Sequence, residues 1–196
     1  MADDDRTPHP EIVLVRHGET EWTITGQHTS RTDLPLTENG RRQAERLRER
    51  LATLRPRVVL TSPRVRSIET CRLAGFGDMQ ICDDLTEWDY GDYEGHTTAE
   101  IRSEVPSWSL WRDGAPNGER ASQVAARADR VIELVHRVEG TVLVFSHGHY
   151  LRVLAVRWLE LRPDDGRLLA MTPASVSTLA WEREQRVISL WNEAAD

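Results

Sequence analysis

Ile12-Val13-Leu14-Val15-Arg16-His17-Gly18-Glu19-Thr20 is the stretch that decides the fold. Its first four residues form a continuous apolar run, three of them β-branched, the pattern of a strand buried on both faces. Charged and polar side chains follow at once, so the strand ends in a loop that carries chemistry. The motif of an apolar run followed by polar residues occurs twice more. Val58-Val59-Leu60 runs into Ser62-Pro63-Arg64-Val65-Arg66, and Val142-Leu143-Val144-Phe145 runs into Ser146-His147-Gly148.

Helical patterns separate these runs. Thr37 suits an N-cap, and Ala44, Leu47, Leu51 and Leu54 then recur at helical spacing along a charged segment. Ser62-Pro63 repeats that logic, a cap followed by proline at the first helical position. A third helix is expected from about Ser122, burying Val124, Ala128, Val131, Val135 and Val138. A fourth, from about Tyr150 to Leu161, is apolar on most sides and should be largely buried. Strands alternating with helices predict an α/β fold: three layers, a doubly wound, mostly parallel sheet with helices on both faces. Near the C-terminus, Ser175 to Trp181 and Val187 to Trp191 flank Glu182-Arg183-Glu184-Gln185, which predicts a hairpin adding antiparallel or edge strands. Residues 83–120 are irregular, aromatic and Gly-rich, with one short helical stretch near Thr98 to Val105, and read as an insertion over the active site. Residues 1–10 are polar and Pro-punctuated and read as a disordered tail, which leaves 11–196 as a single domain.

Composition narrows the partners. A net charge of −7 argues against nucleic acid, because phosphate backbones are met by basic surfaces. The chain has no lysine, so all 25 basic side chains are arginine, which excludes a Schiff-base lysine and the lysine of a P-loop. No apolar run approaches the roughly 20 residues of a membrane helix, and the acidic start does not resemble a signal peptide. A cytoplasmic protein with no membrane partner, monomeric or homodimeric, is expected. Cys71 and Cys82 lack metal or CxxC spacing and read as buried, reduced thiols.

In a doubly wound sheet the ligand sits beyond the carboxyl ends of the strands. The three strand-end motifs would therefore gather two histidines and two arginines in one place. Neutral imidazole is a good nucleophile toward phosphorus near neutral pH, and arginine forks match phosphate oxygens. Arginines and a second histidine around one nucleophile would neutralise a transferring phosphoryl group. Helix N-termini at Pro63 and near His149 would add backbone donors. Glu87, beside Trp88 and Tyr90, has aromatic neighbours able to desolvate it, which suits a proton donor to the leaving oxygen.

Leu14-Val15-Arg16-His17-Gly18-Glu19-Thr20 resembles the signature of the histidine phosphatase superfamily, also called phosphoglycerate mutase-like. The resemblance continues through Asp33-Leu34-Pro35-Leu36-Thr37, Ser62 to Arg66, Glu87 with Tyr90-Gly91, Gly118-Glu119, and Ser146-His147-Gly148. It implies His17 as nucleophile, Glu87 as proton donor, and Arg16, Arg66 and His147 as the phosphate pocket, with Gly148 beside them. It also implies that no metal or other cofactor is used. Thr23 stands where the family often has asparagine, and Thr29-Ser30 where it often has a residue followed by glycine; both threonines are kept as pocket candidates. The Gly-Gln-His-Thr and Glu-Trp-Asp-Tyr-Gly stretches are more similar to a phosphatase branch acting on sugar or other acidic phosphomonoesters than to glycolytic mutases.

Other residues have plainer readings. His9, His28, His96, His136 and His149 read as ordinary structural or surface residues, and Arg64 and Arg72 as solvated helix residues. Trp22 reads as packing under the first loop, while Trp108 and Trp111 serve equally as pocket lining or as a small core for the insertion. Three functions compete: a phosphomonoesterase, with water accepting the phosphoryl group; a phosphoglycerate mutase, with a substrate hydroxyl accepting it; and a non-catalytic binder of a phosphorylated ligand. A complete set of nucleophile, acid and arginines disfavours the binder. An aromatic, acidic rim after Glu87, with only Arg102, Arg112 and Arg120 as extra basic candidates, favours hydrolysis over the mutase.

Overall fold

A computed structural model describes residues 9–194. Strands β1 (Glu11–Arg16), β2 (Val58–Thr61), β3 (Gln80–Ile81), β4 (Thr141–Ser146), β5 (Ser175–Glu182) and β6 (Gln185–Ala194) form one sheet in the order β3-β2-β4-β1-β5-β6. Pairs β2·β3, β2·β4 and β1·β4 are parallel, and β1·β5 and β5·β6 antiparallel. The expected C-terminal hairpin is therefore present, turning at Arg183-Glu184 with Arg183 at φ 55. The two-residue β3 was not foreseen; Gln80 and Ile81 are exposed and carry no pattern to read.

Alternation along the central strands separates two cores. Ile12, Leu14, Val142 and Val144 pack with Val124, Ala128 and Val131 of α6 (Ala121–Val135) and Leu151 and Leu154 of α7 (Gly148–Trp158). Val13, Val15, Leu143 and Phe145 face the other way, onto Leu47 of α2 (Glu38–Arg50) and Cys71 of α3 (Val65–Leu73). Helices thus cover both faces, as the apolar runs predict. Full burial of such strands contributes about 1.5–3 kcal/mol per large aliphatic side chain.

Most helix starts follow their caps. The Thr37 side chain accepts the Gly40 N–H at 2.9 Å and begins α2. Ser62-Pro63 does not begin α3: Arg64 is its N-cap, and the Ser62 hydroxyl turns instead toward His147. Two short helices were unforeseen, α1 (Glu21–Thr25), capped reciprocally by Thr20 and Thr23, and α5 (Leu110–Asp113); α4 (Thr98–Glu104) lies where expected. Trp88 and Trp108 are buried and Trp111 meets Trp88 edge to face, so these tryptophans form the core of the 83–120 segment. The expected tail lies outside the described residues up to position 8, while His9 stacks on Trp181 with ring centroids 4.3 Å apart. Cys71 is buried, Cys82 only partly so, and both are free thiols.

Among the described residues, no helix is long and apolar enough to cross a membrane.

Candidate active site

The carboxyl ends of β1 and β4 lie side by side, with Arg16 in register with Ser146 and the His17 N–H donating to the Ser146 carbonyl at 3.0 Å. This pairing places His17 against His147, although 129 residues separate them in the chain. Both imidazoles are almost wholly buried.

The His17 ring has a defined tautomer. Its Nδ1 lies 2.8 Å from the Gly18 carbonyl, which can only accept, so Nδ1 carries the proton and Nε2 keeps its lone pair. Burial, then the Arg66 and Arg16 charges, push its pKa well below the usual histidine value, so the ring is neutral at neutral pH. His147 is held in the same state by burial and by Arg66. The Ser62 hydroxyl accepts the Arg64 N–H at 3.3 Å and lies 2.7 Å from His147 Nε2. A serine hydroxyl carries one proton and two lone pairs, so this contact fits either tautomer of His147; the one in which Ser62 donates to Nε2 leaves Nδ1 as an N–H donor.

The arginines are aimed without carboxylate clamps. Arg16 donates from one terminal nitrogen to the Met171 carbonyl. Arg66, fully buried, donates to the carbonyls of Thr32 at 3.2 Å, Thr29 at 3.3 Å and Ser30 at 3.5 Å, and its nearest carboxylate is Asp33 at 3.8 Å. Neutral acceptors orient a guanidinium but leave its charge available. Arg16 Nε, Arg66 Nε and His147 Nδ1 are buried without a hydrogen-bond partner among the described residues, which leaves their hydrogen-bonding capacity unused beside His17. Gly148 is dictated by this packing, because a Cβ there would lie 3.1 Å from Arg16 Cζ.

Glu87 closes the arrangement. Its Oε1 accepts the N–H groups of Trp88 at 2.9 Å and Tyr150 at 2.8 Å, and its Oε2 accepts that of His149 at 3.1 Å. The carboxyl is thus seated on the first turn of α7, one residue beyond the glycine after His147. Arg127 of α6 fixes the backbone before it by donating to the carbonyls of Asp84 and Thr86 while pairing with Glu119 at 2.8 Å. Nothing local in the sequence marks Arg127 for this task, since the carbonyls it holds lie about 40 residues away.

A cavity of about 270 Å³ opens over this group, lined among others by Arg16, His17, Thr23, Thr29, Glu87 and Gly148. Arg66 and His147 are not on the lining and sit behind it, beside His17. Thr23 faces the cavity, but its hydroxyl donates to the Thr20 carbonyl at 2.7 Å; the Thr29 hydroxyl donates to the Gln27 carbonyl at 3.2 Å. Trp22, His28 and His149, read as ordinary from sequence, also line it, as does Arg152, on which the sequence reading makes no statement. His149 follows the Gly148 motif directly, and Arg152 lies one turn further along α7, a helical spacing that could have found both. Burial pushes His28 down to about 4 and His149 well below the usual range, and His149 Nδ1 lies 2.7 Å from the Tyr90 hydroxyl. Arg64 is not simply solvated, for its Nε is buried without a partner among the described residues. Arg102, Arg112 and Arg120 do not line the cavity; Arg152 is the added cation, stacked over Trp111 at 4.5 Å, so the expected acidic rim is corrected.

The three-layer α/β fold gathers two neutral histidines, two carbonyl-anchored arginines and a carboxyl group at and just behind one strand-end cavity, a set suited to phosphoryl transfer. The chain matches the histidine phosphatase superfamily (branch 1) over residues 12–194 and belongs to it. It is 40% identical over 183 residues to an acid phosphatase of Mycobacterium tuberculosis, covering 91% of this chain and 90% of that one. It is 39% identical to the sedoheptulose 1,7-bisphosphatase of Saccharomyces cerevisiae, covering 78% of this chain and 68% of that protein, and 31% identical over 169 residues to a 2,3-bisphosphoglycerate-dependent phosphoglycerate mutase of Gloeobacter violaceus, covering 78% and 77%. The solved structure of a Mycobacterium tuberculosis open reading frame product superposes with a TM-score of 0.91 at 39% identity, covering 95% of this chain and 98% of that one.

Proposed function

We propose that the protein is a phosphomonoesterase that hydrolyses a small phosphorylated metabolite through a phosphohistidine on His17. The observation that carries this reading is the His17 ring itself, with Nδ1–H tied to the Gly18 carbonyl, which leaves the lone pair on Nε2, and with the Arg66 and Arg16 charges near enough to keep the ring neutral. Nε2 attacks phosphorus and the ester P–O bond breaks. Arg16, Arg66 and the His147 N–H take the charge on the non-bridging oxygens. Glu87 is placed to pass a proton to the departing oxygen through Oε2, which accepts one backbone bond where Oε1 accepts two. The resulting carboxylate then takes a proton from water as water attacks the phosphohistidine, which frees inorganic phosphate and restores His17. No step requires a metal ion.

The substrate is a sugar phosphate or a similar acidic phosphomonoester. The cavity exceeds the size of one phosphoryl group, and Arg152 on its wall forms no ion pair among the described residues, which suits a leaving group bearing hydroxyl or anionic groups. Similarity to an acid phosphatase and to a sugar bisphosphatase supports the same class. Arg152 also favours a phosphoglycerate mutase, since such an enzyme must grip a second anionic group, and so does the similarity to a protein of that name. The test is a screen of sugar phosphates, nucleotides, phosphoglycerates and p-nitrophenyl phosphate, with and without EDTA, and with 2,3-bisphosphoglycerate as primer on 3-phosphoglycerate. Phosphate release that survives EDTA and exceeds isomerisation is expected. Isomerisation faster than phosphate release from any ester would replace the phosphatase by the mutase.

A further inference from the structure

The carbonyls that aim the two arginines belong to loops, and each loop is gripped by remote side chains, one of which takes the backbone N–H beside those carbonyls. Glu94, in the segment after Tyr90, accepts the N–H of Ser30 at 2.8 Å and of Thr32 at 3.0 Å, both on Oε1. Those residues, with Thr29, supply the carbonyls that hold Arg66. On the opposite side, Asn192 of β6 accepts on Oδ1 the N–H of Thr172 at 2.7 Å and its hydroxyl at 3.1 Å. The residue just before Thr172 is Met171, whose carbonyl holds Arg16. Neither side chain lines the cavity.

Both positions bear a local cost. Glu94 Oε2 is buried with no partner among the described residues, an arrangement that costs stability. Asn192 sits at φ 56, a left-handed conformation unfavourable inside a strand, beside the irregular register of β5 and β6. A cost kept at two places that each end on a pocket arginine is the mark of a positioning device.

We infer that Glu94 and Asn192 are positioning residues, which set the aim of Arg66 and Arg16 by clamping the loops whose carbonyls hold them. Neither touches the phosphoryl group. The inference rests on the proposed phosphate-binding role of the two arginines. Loosening either loop lets a guanidinium swing from its carbonyls, and the affinity for the anion falls while the fold persists.

The experiment measures orthovanadate and inorganic phosphate binding by calorimetry, with melting temperature and kcat and KM on p-nitrophenyl phosphate alongside. Glu94→Met removes the acceptor at similar volume; Glu94→Gln keeps it. Asn192→Gly removes the acceptor while suiting the positive φ, and Asn192→Asp keeps it. Glu94→Met and Asn192→Gly should each weaken anion binding about tenfold, about 1.4 kcal/mol, and the acceptor-retaining variants should recover most of it. In an Arg66→Met background, Glu94→Met should weaken binding no further, because it acts through that arginine; Asn192→Gly should behave likewise with Arg16→Met. Anion affinity unchanged in Glu94→Met and Asn192→Gly, or equal extra losses in the arginine-free backgrounds, overturns the inference. Should Glu94→Met not fold, the Asn192 arm decides alone, and unchanged affinity there overturns it. Failure of the functional reading is distinct: the wild-type protein would then bind neither anion, or Arg66→Met and Arg16→Met would leave binding intact.

Discussion

His17 and His147 stand edge to face, with ring centroids 5.2 Å apart and an interplanar angle of 61°. Two protonated imidazoles could not share that spacing beside two arginines, and burial with the arginine charges keeps both neutral. Neutrality divides the labour. His17 keeps its lone pair at Nε2, and His147 leaves Nδ1 without a partner among the described residues.

His17→Ala should abolish turnover and leave a folded protein, because the ring's one hydrogen bond is to the neighbouring Gly18 carbonyl. Acid quench is unsuitable for the intermediate; quenching wild-type turnover in base should trap labelled phosphate that acid releases. Label recovered on a serine, aspartate or cysteine would exclude His17 as the nucleophile.

Glu87→Gln preserves shape but cannot give a proton, and its amide would face the His149 N–H that Oε2 now accepts. Turnover of alkyl phosphates should fall by about 10² to 10⁴, and that of p-nitrophenyl phosphate by less, since its leaving group needs little protonation. Equal losses on both would remove Glu87 from the first step.

Stability should decline as pH falls below about 6.5, the pKa of histidine in the unfolded chain. His17, His28, His147 and His149 all have lowered values in the folded protein, so the unfolded chain binds more protons in this window and gains from acid. For His28 the loss should continue to about pH 4. Urea titrations between pH 7.5 and pH 4.5 would read this directly, and His28→Phe should flatten the slope by about one proton. A midpoint that rises on acidification would contradict the buried, neutral assignment.

Gly148→Ala tests the close approach of α7 to Arg16. The added carbon would lie 3.1 Å from Arg16 Cζ, so the guanidinium must shift, and kcat/KM should fall about tenfold to a hundredfold with little change in melting temperature. An unchanged kcat/KM would mean that Arg16 need not hold its position.

The strands, the main helices and the central site residues were legible because each is written locally: an apolar run, then a cap or a charged group. Ile12 to Val15 alternates between two cores, and a run apolar at every position is what that demands. Errors arose where tertiary contacts override a local signal. Ser62 looks like a helix cap but is taken by His147, which delays α3 to Val65. Arg127, Glu94 and Asn192 act on residues distant in sequence, and no spacing announces them. His28 and Arg152 were missed because an isolated histidine or arginine is ordinary until the fold gives it a wall to stand on.

Strand β4 enters the sheet between β1 and β2, although it is made after both. Until residues 141–146 slot into that gap, β1 lacks its parallel neighbour, the His17 N–H lacks the Ser146 carbonyl, and His147 is nowhere near its partner. Partly folded chains therefore possess every reactive group and no enzyme. Recovery of activity after dilution from denaturant becomes a clock for closure of the middle of the sheet, with helix content free to return earlier.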